Sequence, residues 1–433
     1  MFAERREEFC TRMGPGAVAI IQGNRMMRRS NDTEYHFRQD SDFWYLTGFD
    51  HPEATVVLRT TEQGPRYSLF VQPRDKAAET WTGFRPGVEG ARNQYGADQA
   101  LESDALATSL PDLLKDADRL YYVFGRTPKL DQTLLEIQER LRLQSRLGLL
   151  PVDEILDPRM ILHEMRLFKD PREIEIMRKA ADISCQAHHE AAQELAVGRF
   201  EYEIEARLNY VFRRRGGWGA AYESIVAGGT NATVLHYVRN DRPLIDGDMV
   251  LIDAGVELQG YASDVTRTYP VNGRFEGAAK AVYETVLSAQ KNAMNAARAG
   301  TTLPSIHEAT VRDLVQGMLD LGLLEGERDS LIENKAFRRY YMHGTSHWLG
   351  LDVHDVGRYT QGDTPRVLEP GMVFTVEPGL YIAQDDDQAP EAFRGIGVRI
   401  EDDVVITEDG SENLTAAIPK ETKDVENWLQ VGS

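Results

Sequence analysis

The chain has 433 residues, too many for one ordinary hydrophobic core, so two domains are expected. A net charge of −20 counts against a nucleic-acid partner, and no apolar run is long enough to cross a membrane. Only Cys10 and Cys185 occur, which argues against a disulfide framework or a cysteine zinc site. The start, Met1-Phe2-Ala3-Glu4-Arg5-Arg6-Glu7-Glu8, lacks signal-peptide character, and a cytoplasmic protein is expected.

In chain order, Tyr35, Arg38-Gln39, Ser41-Asp42-Phe43-Trp44-Tyr45 and Thr47-Gly48-Phe49 stand out first, and Trp81 follows in Glu79-Thr80-Trp81-Thr82-Gly83. Pro151, Pro158 and Pro171 punctuate a stretch that predicts a boundary near residues 160–170, giving domains 1–165 and 166–433. His163-Glu164 opens like a zinc-protease H-E-x-x-H, but position 167 is Leu and the motif fails. Asp170-Pro171-Arg172-Glu173 predicts a helix start, with an N-cap Asp, a first-turn Pro and Glu three residues after the cap. Ile174, Met177, Ala181 and Cys185 then recur at helical spacing, which makes Cys185 a core thiol. A second helix carries Ile204, Leu208, Val211 and Phe212 and stops at Arg213-Arg214-Arg215-Gly216, a basic run that complements a helix C-terminus. Two further helical patterns run through Val282, Val286 and Leu287, and through Ile306, Leu314, Met318 and Leu321. Strands rich in Val and Ile alternate with them.

Acidic residues end several apolar or Gly-punctuated segments in the last 180 or so residues. Val250-Leu251-Ile252 ends at Asp253, and a turn around Gln259-Gly260 leads back through Tyr261 to Asp264. Two strands with a tight connection would bring both carboxylates to one end of a hairpin. Read alone, the pair is equally two solvated Asp beside a turn. Glu377 closes Met372-Val373-Phe374-Thr375-Val376 and precedes Pro378, which favours extended geometry and a charge at the end of a buried strand. Arg399 and Glu401 share a strand face at period two. They read either as a surface pair, with Asp402 and Asp403 following, or as a metal-bridging Glu whose charge the Arg balances. Of ten histidines, His343, His347 and His354 lie within twelve residues among Gly344, Ser346 and Gly350, which predicts a loop and strand rather than a helix. His236 follows the Gly228-Gly229 turn. Four carboxylates and an imidazole make an oxygen-rich set suited to hard or borderline divalent ions, and two such ions point to hydrolysis.

These stretches resemble the five ligand motifs of the pita-bread metallopeptidases. With the Tyr35–Phe49 clusters, His163–Lys169, Met342–Gly344, Ser346–Asp355 and Val376–Tyr381, the chain is similar to the bacterial aminopeptidase P (Xaa-Pro aminopeptidase) group over nearly its whole length. The resemblance implies an α/β (α+β) fold: a C-terminal pita-bread catalytic domain with pseudo-two-fold symmetry, preceded by a smaller mixed α/β N-terminal domain. It implies two divalent metal ions, Mn²⁺ by resemblance, bridged by Asp264 and Glu401. Asp253 completes one, and His347 and Glu377 complete the other. A water activated between them would attack the carbonyl of the first residue in an Xaa-Pro peptide, whose amino group binds near the Asp253 ion. His236 and His354 would donate hydrogen bonds, His343 would support the substrate or the site wall, Glu377 would carry a proton to the leaving nitrogen and Arg399 would balance charge. Tyr381 is expected at the substrate. Trp81 would wall the site of a neighbouring subunit in a homo-oligomer, a tetramer or dimer, with the N-terminal domain serving oligomerisation. Prolidase, which cuts Xaa-Pro dipeptides with the same ligands, is the close alternative. A silent scaffold on this fold would have lost ligands, and none is lost here.

Overall fold

A computed structural model describes residues 1–430 and divides into two compact units, Met1–Met165 and the chain from Arg166 onward. In the first, six strands make one mixed sheet: β1 (Ala17–Gln22), β2 (Thr55–Thr61), β3 (Gly64–Val71), β4 (Gln99–Glu102), β5 (Arg119–Tyr121) and β6 (Glu154–Leu156). Their order is β4-β3-β2-β1-β5-β6. Strands β1, β2 and β3 pair antiparallel, and the outer pairs are parallel. Ala17–Ile21 of β1 are all buried, as a central strand covered on both faces requires. One face packs Val18, Ile20, Val57 and Phe70 in a core with Leu134 and Ile137.

The cluster around residues 38–49 is scaffolding. Asp40 Oδ1 caps helix α1 (Ser41–Thr47) by accepting from Phe43 N at 2.9 Å, and Gly48 ends it in the left-handed conformation with φ 63°. Gln39, 5% exposed, donates through Nε2 to the carbonyls of Phe49 and His51 at 3.1 and 2.9 Å, and its Oε1 accepts from Asn24 N at 2.7 Å. Burying an amide this completely demands such full satisfaction.

The second unit is built twice over. Helices α2 (Pro171–Gln193) and α3 (Glu201–Arg214) precede a three-stranded antiparallel sheet of β7 (Ile225–Gly228), β8 (Met249–Asp253) and, further on, β11 (Thr266–Pro270). Between them lies the hairpin β9 (Val256–Leu258) and β10 (Tyr261–Ala262). Helices α4 (Gly277–Ala296) and α5 (Leu303–Asp320) then precede β12 (Val373–Val376), which pairs with β15 (Asp402–Thr407) and through it with β16 (Gly410–Asn413). The short pair β13 (Gly379–Tyr381) and β14 (Gly397–Arg399) completes this half.

The sequence patterns explain these elements. Asp170 Oδ1 accepts from Arg172 N at 2.7 Å and Glu173 N at 3.1 Å, while Glu173 Oε2 accepts from Asp170 N at 2.8 Å, so the expected helix start is a capping box. Met177, Ala181 and Cys185 are buried, and burial pushes the Cys185 thiol up to about 12. Ile204, Leu208, Val211 and Phe212 are fully buried on α3, each of the larger side chains contributing ~1.5–3 kcal/mol of burial. Arg213 departs slightly from expectation: it donates to the carbonyls of Gly217 and Trp218, both at 2.7 Å, beyond the helix rather than on its last turn.

His188, fully buried on α2, lies 3.0 Å from the Ala254 carbonyl through Nε2. Burial pushes its pKa down to about 4, against the ~6.5 of an unfolded chain. Below pH ~6.5 the unfolded state takes up a proton that the folded state refuses, so stability is lost as pH falls from there towards 4. The loss at the acid end is ~3 kcal/mol. In urea unfolding, the stability gap between the parent and His188→Gln is expected to narrow over that window. A constant gap would contradict it.

Candidate metal centre

Each half of the second unit aims acidic residues at one point. Asp253 is the last residue of β8, its sheet's middle strand, and pairs with Ile225 on one side and Thr266 on the other. The hairpin that follows reverses at Gln259 and Gly260, both with positive φ (52° and 86°), as a tight two-residue turn requires. Gly255 permits the close return: a Cβ there would sit 1.7 Å from the Ser263 carbonyl oxygen. Asp264, just before β11, is thereby brought beside Asp253. From the other half come Glu377, directly after β12, and Glu401, directly before β15, the middle strand of its sheet. His347 lies on a segment that runs along β12 without forming a regular strand: Thr375 N donates to the His347 carbonyl and Leu349 N to the Val373 carbonyl, both at 3.0 Å, around the isolated bridge Trp348↔Phe374.

These five converge. His347 Nε2 is 3.3 Å from Asp264 Oδ2 and 3.6 Å from Glu377 Oε1. One ligand atom each of Asp264, His347 and Glu401 lie within 4.8 Å of one another. His347 Nδ1 is 3.0 Å from the Trp348 carbonyl and donates to it, which leaves Nε2 free as a ligand atom. Asp253, Asp264 and Glu401 are at most 8% exposed, so neither the solvated-turn nor the surface-pair reading survives.

The electrostatics carry the same message. Burial drives the carboxyls of Asp253 and Glu401 above their ordinary values, and repulsion from Asp264 adds to it. Burial likewise pushes Glu377 to about 7. His347 goes up to about 9: burial would lower it, but the Asp264 hydrogen bond and the Glu377 charge outweigh burial. Of the four carboxyls, Asp264 alone is lowered: burial would raise it, but His347, the Tyr222 hydroxyl and Arg399 together outweigh burial. Four carboxylates against one guanidinium and one imidazole leave an excess of negative charge that two divalent cations would satisfy, with oxygen-rich donors suited to them. The residues fit the metal pair.

Residues not read from the sequence hold this set in place. The Tyr222 hydroxyl lies 2.6 Å from both Asp253 Oδ1 and Asp264 Oδ1. Burial and those two carboxylates raise its pKa well above normal, so it stays a donor. Thr266 donates to Glu401 Oε2 at 2.6 Å while accepting from Arg399 Nε at 3.0 Å. Arg399 Nη2 pairs with Asp253 Oδ2 at 2.5 Å, so its charge balances Asp253 directly, and it also favours the charged form of its strand neighbour Glu401. Thr266 was open to period-two reasoning from Asp264. Tyr222 sits in an irregular segment that gives no such signal.

Behind the centre, the run Glu401-Asp402-Asp403 is entirely buried. Asp402 receives Arg267 Nη2 at 2.6 Å, Lys420 Nζ at 2.5 Å and Gln290 Nε2 at 2.7 Å. Asp403 accepts from Ser263 Oγ at 2.9 Å and from Asp264 N at 3.2 Å, which fixes the ligand's backbone.

Over the ligands lies a cavity of about 550 Å³, within the ~300–1,000 Å³ usual for small-ligand sites. His236, His343 and His354 line it. His236 is exposed, and the His354 ring lies 4.4 Å from that of His347. His343 is held at both nitrogens, by the Gly344 carbonyl at 2.7 Å and the Tyr381 hydroxyl at 2.8 Å. Burial, with Arg399 nearby, pushes its pKa down to about 4, so it is neutral at pH 7. Tyr381 is 2% exposed and accepts from Arg399 Nη1 at 3.1 Å, so its hydroxyl braces His343 and is absent from the cavity lining. Trp81 belongs to the first unit, where it is 88% exposed.

An acidic five-ligand set under a cavity, on an α/β unit made of two like halves, is the arrangement of a metal-dependent hydrolase. Residues 175–408 match metallopeptidase family M24, and residues 2–122 match the aminopeptidase P N-terminal domain. The chain belongs to metallopeptidase family M24, with the pita-bread fold of that family in its second unit and a mixed α/β domain before it. It is 47% identical over 428 residues to a Xaa-Pro aminopeptidase of Haemophilus influenzae, covering 99% of this chain and 96% of the relative. To human Xaa-Pro aminopeptidase 3 it is 37% identical, covering 95% and 81%. The solved aminopeptidase PepP of Pseudomonas aeruginosa superposes with a TM-score of 0.96 at 46% identity, covering 100% of this chain and 98% of that one. A zinc-substituted Escherichia coli aminopeptidase P in complex with product does so at 0.96 and 44%, with the same coverage.

Proposed function

We propose that this chain is an Xaa-Pro aminopeptidase that releases the first residue of peptides with proline in second position. The observation that carries the reading is the convergence of Asp253, Asp264, His347, Glu377 and Glu401 at the floor of the cavity, in a chain similar end to end to Xaa-Pro aminopeptidases. Asp253, Asp264, His347, Glu377 and Glu401 would together hold two divalent ions, Mn²⁺ by resemblance. When bound, such ions lower the pKa of a water and polarise the scissile carbonyl.

The chain's own groups do the rest. The peptide amino group sits at the Asp253 end, and the first carbonyl points to His236 and His354, whose ring N–H groups donate to the developing negative oxygen. Glu377 takes the proton given up by the attacking water, whose oxygen bonds to the carbonyl carbon, and delivers it to the proline nitrogen as the C–N bond breaks. That nitrogen is a tertiary amide with no N–H of its own, so it must be protonated to leave as an amine. Arg399 holds Asp253 in place, and through Tyr381 it positions His343 in the site wall. Removing one such donor costs roughly 10²–10³-fold in kcat. His354→Ala is therefore expected to lower kcat by about 10²-fold, with metal content by mass spectrometry unchanged; unchanged turnover and KM would remove His354 from the mechanism.

The relatives favour this reading over prolidase, whose substrates end at proline. The protein would act in the cytoplasm as a homo-oligomer, a tetramer or dimer. Trp81 and Phe84, 88% and 85% exposed on the first unit, support a surface that a neighbouring subunit covers. Light scattering tests this, and a Trp81→Ala, Phe84→Ala variant separates oligomerisation from activity.

A further inference from the structure

Five carboxylates line the cavity over the metal centre, and four of them belong to the candidate ligand set. The fifth is Glu223. It is exposed, and among the described residues no hydrogen bond or ion pair engages its carboxylate. The backbone around it is fixed on both sides. Tyr222 before it reaches Asp253 and Asp264. After it, the Ser224 carbonyl accepts from Asn240 Nδ2 at 2.8 Å, and Asn240 Oδ1 accepts from Val226 N at 3.0 Å. The side chain is thus rooted two residues before Ile225, the strand partner of Asp253, beside the Asp253–Asp264 pair. Ile225, Leu235 and Val238 line the same cavity, so an apolar wall adjoins a single free negative charge.

A side chain with an apolar stem and a cationic head matches that wall. We propose that Glu223 selects peptides whose first residue is arginine or lysine. The inference rests on the aminopeptidase reading above, in which the peptide amino group sits at the Asp253 end and the first side chain leaves from there. The stem lies along Ile225, Leu235 and Val238, and the guanidinium or ammonium donates to the Glu223 carboxylate, a charge-assisted contact in a partly enclosed cavity. A neutral or acidic first residue makes no such contact, and an acidic one is repelled.

The test compares kcat/KM for Arg-Pro-Pro, Gln-Pro-Pro and Glu-Pro-Pro on the full-length, Mn²⁺-loaded enzyme, its Glu223→Gln variant and its Glu223→Lys variant. Calorimetric affinities for argininamide and glutaminamide repeat the comparison without turnover. The parent is expected to favour arginine over glutamine by about tenfold, the size of one charged hydrogen bond. Glu223→Gln should reduce that ratio towards one, mainly through KM, and Glu223→Lys should turn the preference towards glutamate. A parent without the preference, or a Glu223→Gln variant that keeps it, overturns the role of Glu223 and leaves the activity standing. Silence on all three peptides overturns both.

Discussion

Asp264→Asn is expected to abolish tripeptide cleavage, lowering kcat/KM by more than the roughly 100-fold that losing a residue behind a metal ligand costs. The substitution keeps shape and removes charge at the point where both halves of the second unit meet. Asp264 Oδ2 lies 3.3 Å from His347 Nε2, and its Oδ1 lies 2.6 Å from the Tyr222 hydroxyl. As one of the residues that would hold the ions, its loss should lower bound metal by mass spectrometry as well. A variant with full activity and full metal content would show that Asp264 is no ligand.

Asp402→Asn is expected to destabilise the second unit by about 3–5 kcal/mol, the cost of leaving a buried charge without its partner. Arg267 is 1% exposed and donates to the carbonyls of Thr266, Glu401 and Ile418 as well as to Asp402 Oδ1. Lys420 pairs with the other oxygen. Burial alone would raise the Asp402 carboxyl; Arg267 and Lys420 together hold it well below the usual carboxylate range. A depressed carboxyl contributes stability above the ordinary value of ~3.9 and loses it as pH falls through the folded value. Urea unfolding at pH 7 reads the difference between parent and variant. A loss under 1 kcal/mol, the order of an exposed pair, would mean the network is not the anchor its geometry describes. Because Arg267 also donates to the Glu401 carbonyl, the variant's metal affinity should weaken with its stability.

The ligands were legible because their settings were unusual for acids: an apolar run ending at Asp253, a proline after Glu377, glycines around His343 and His347. The Asp170–Glu173 cap was legible because it is a local hydrogen-bond pattern. Arg399 shows where that reasoning stops. Strand period placed it on a face with Glu401, yet its guanidinium reaches Asp253, a partner 146 positions away. Asp402 and Asp403 looked like solvated charges because nothing local announces Arg267, Lys420 and Ser263. Tyr222 contacts two ligands from a segment with no period at all. The repetition of two helices followed by an antiparallel sheet was hidden as well, since the strands are short and the loops between them differ in each half.

The central claim is metal-dependent release of a first residue before proline. The most direct measurement takes chelated enzyme, with and without added Mn²⁺, and follows release of arginine from Arg-Pro-Pro. The account predicts release that appears only when the metal is restored. Cleavage of an Xaa-Pro dipeptide with the tripeptide left intact would contradict it in favour of a prolidase, and silence on both would contradict hydrolysis itself.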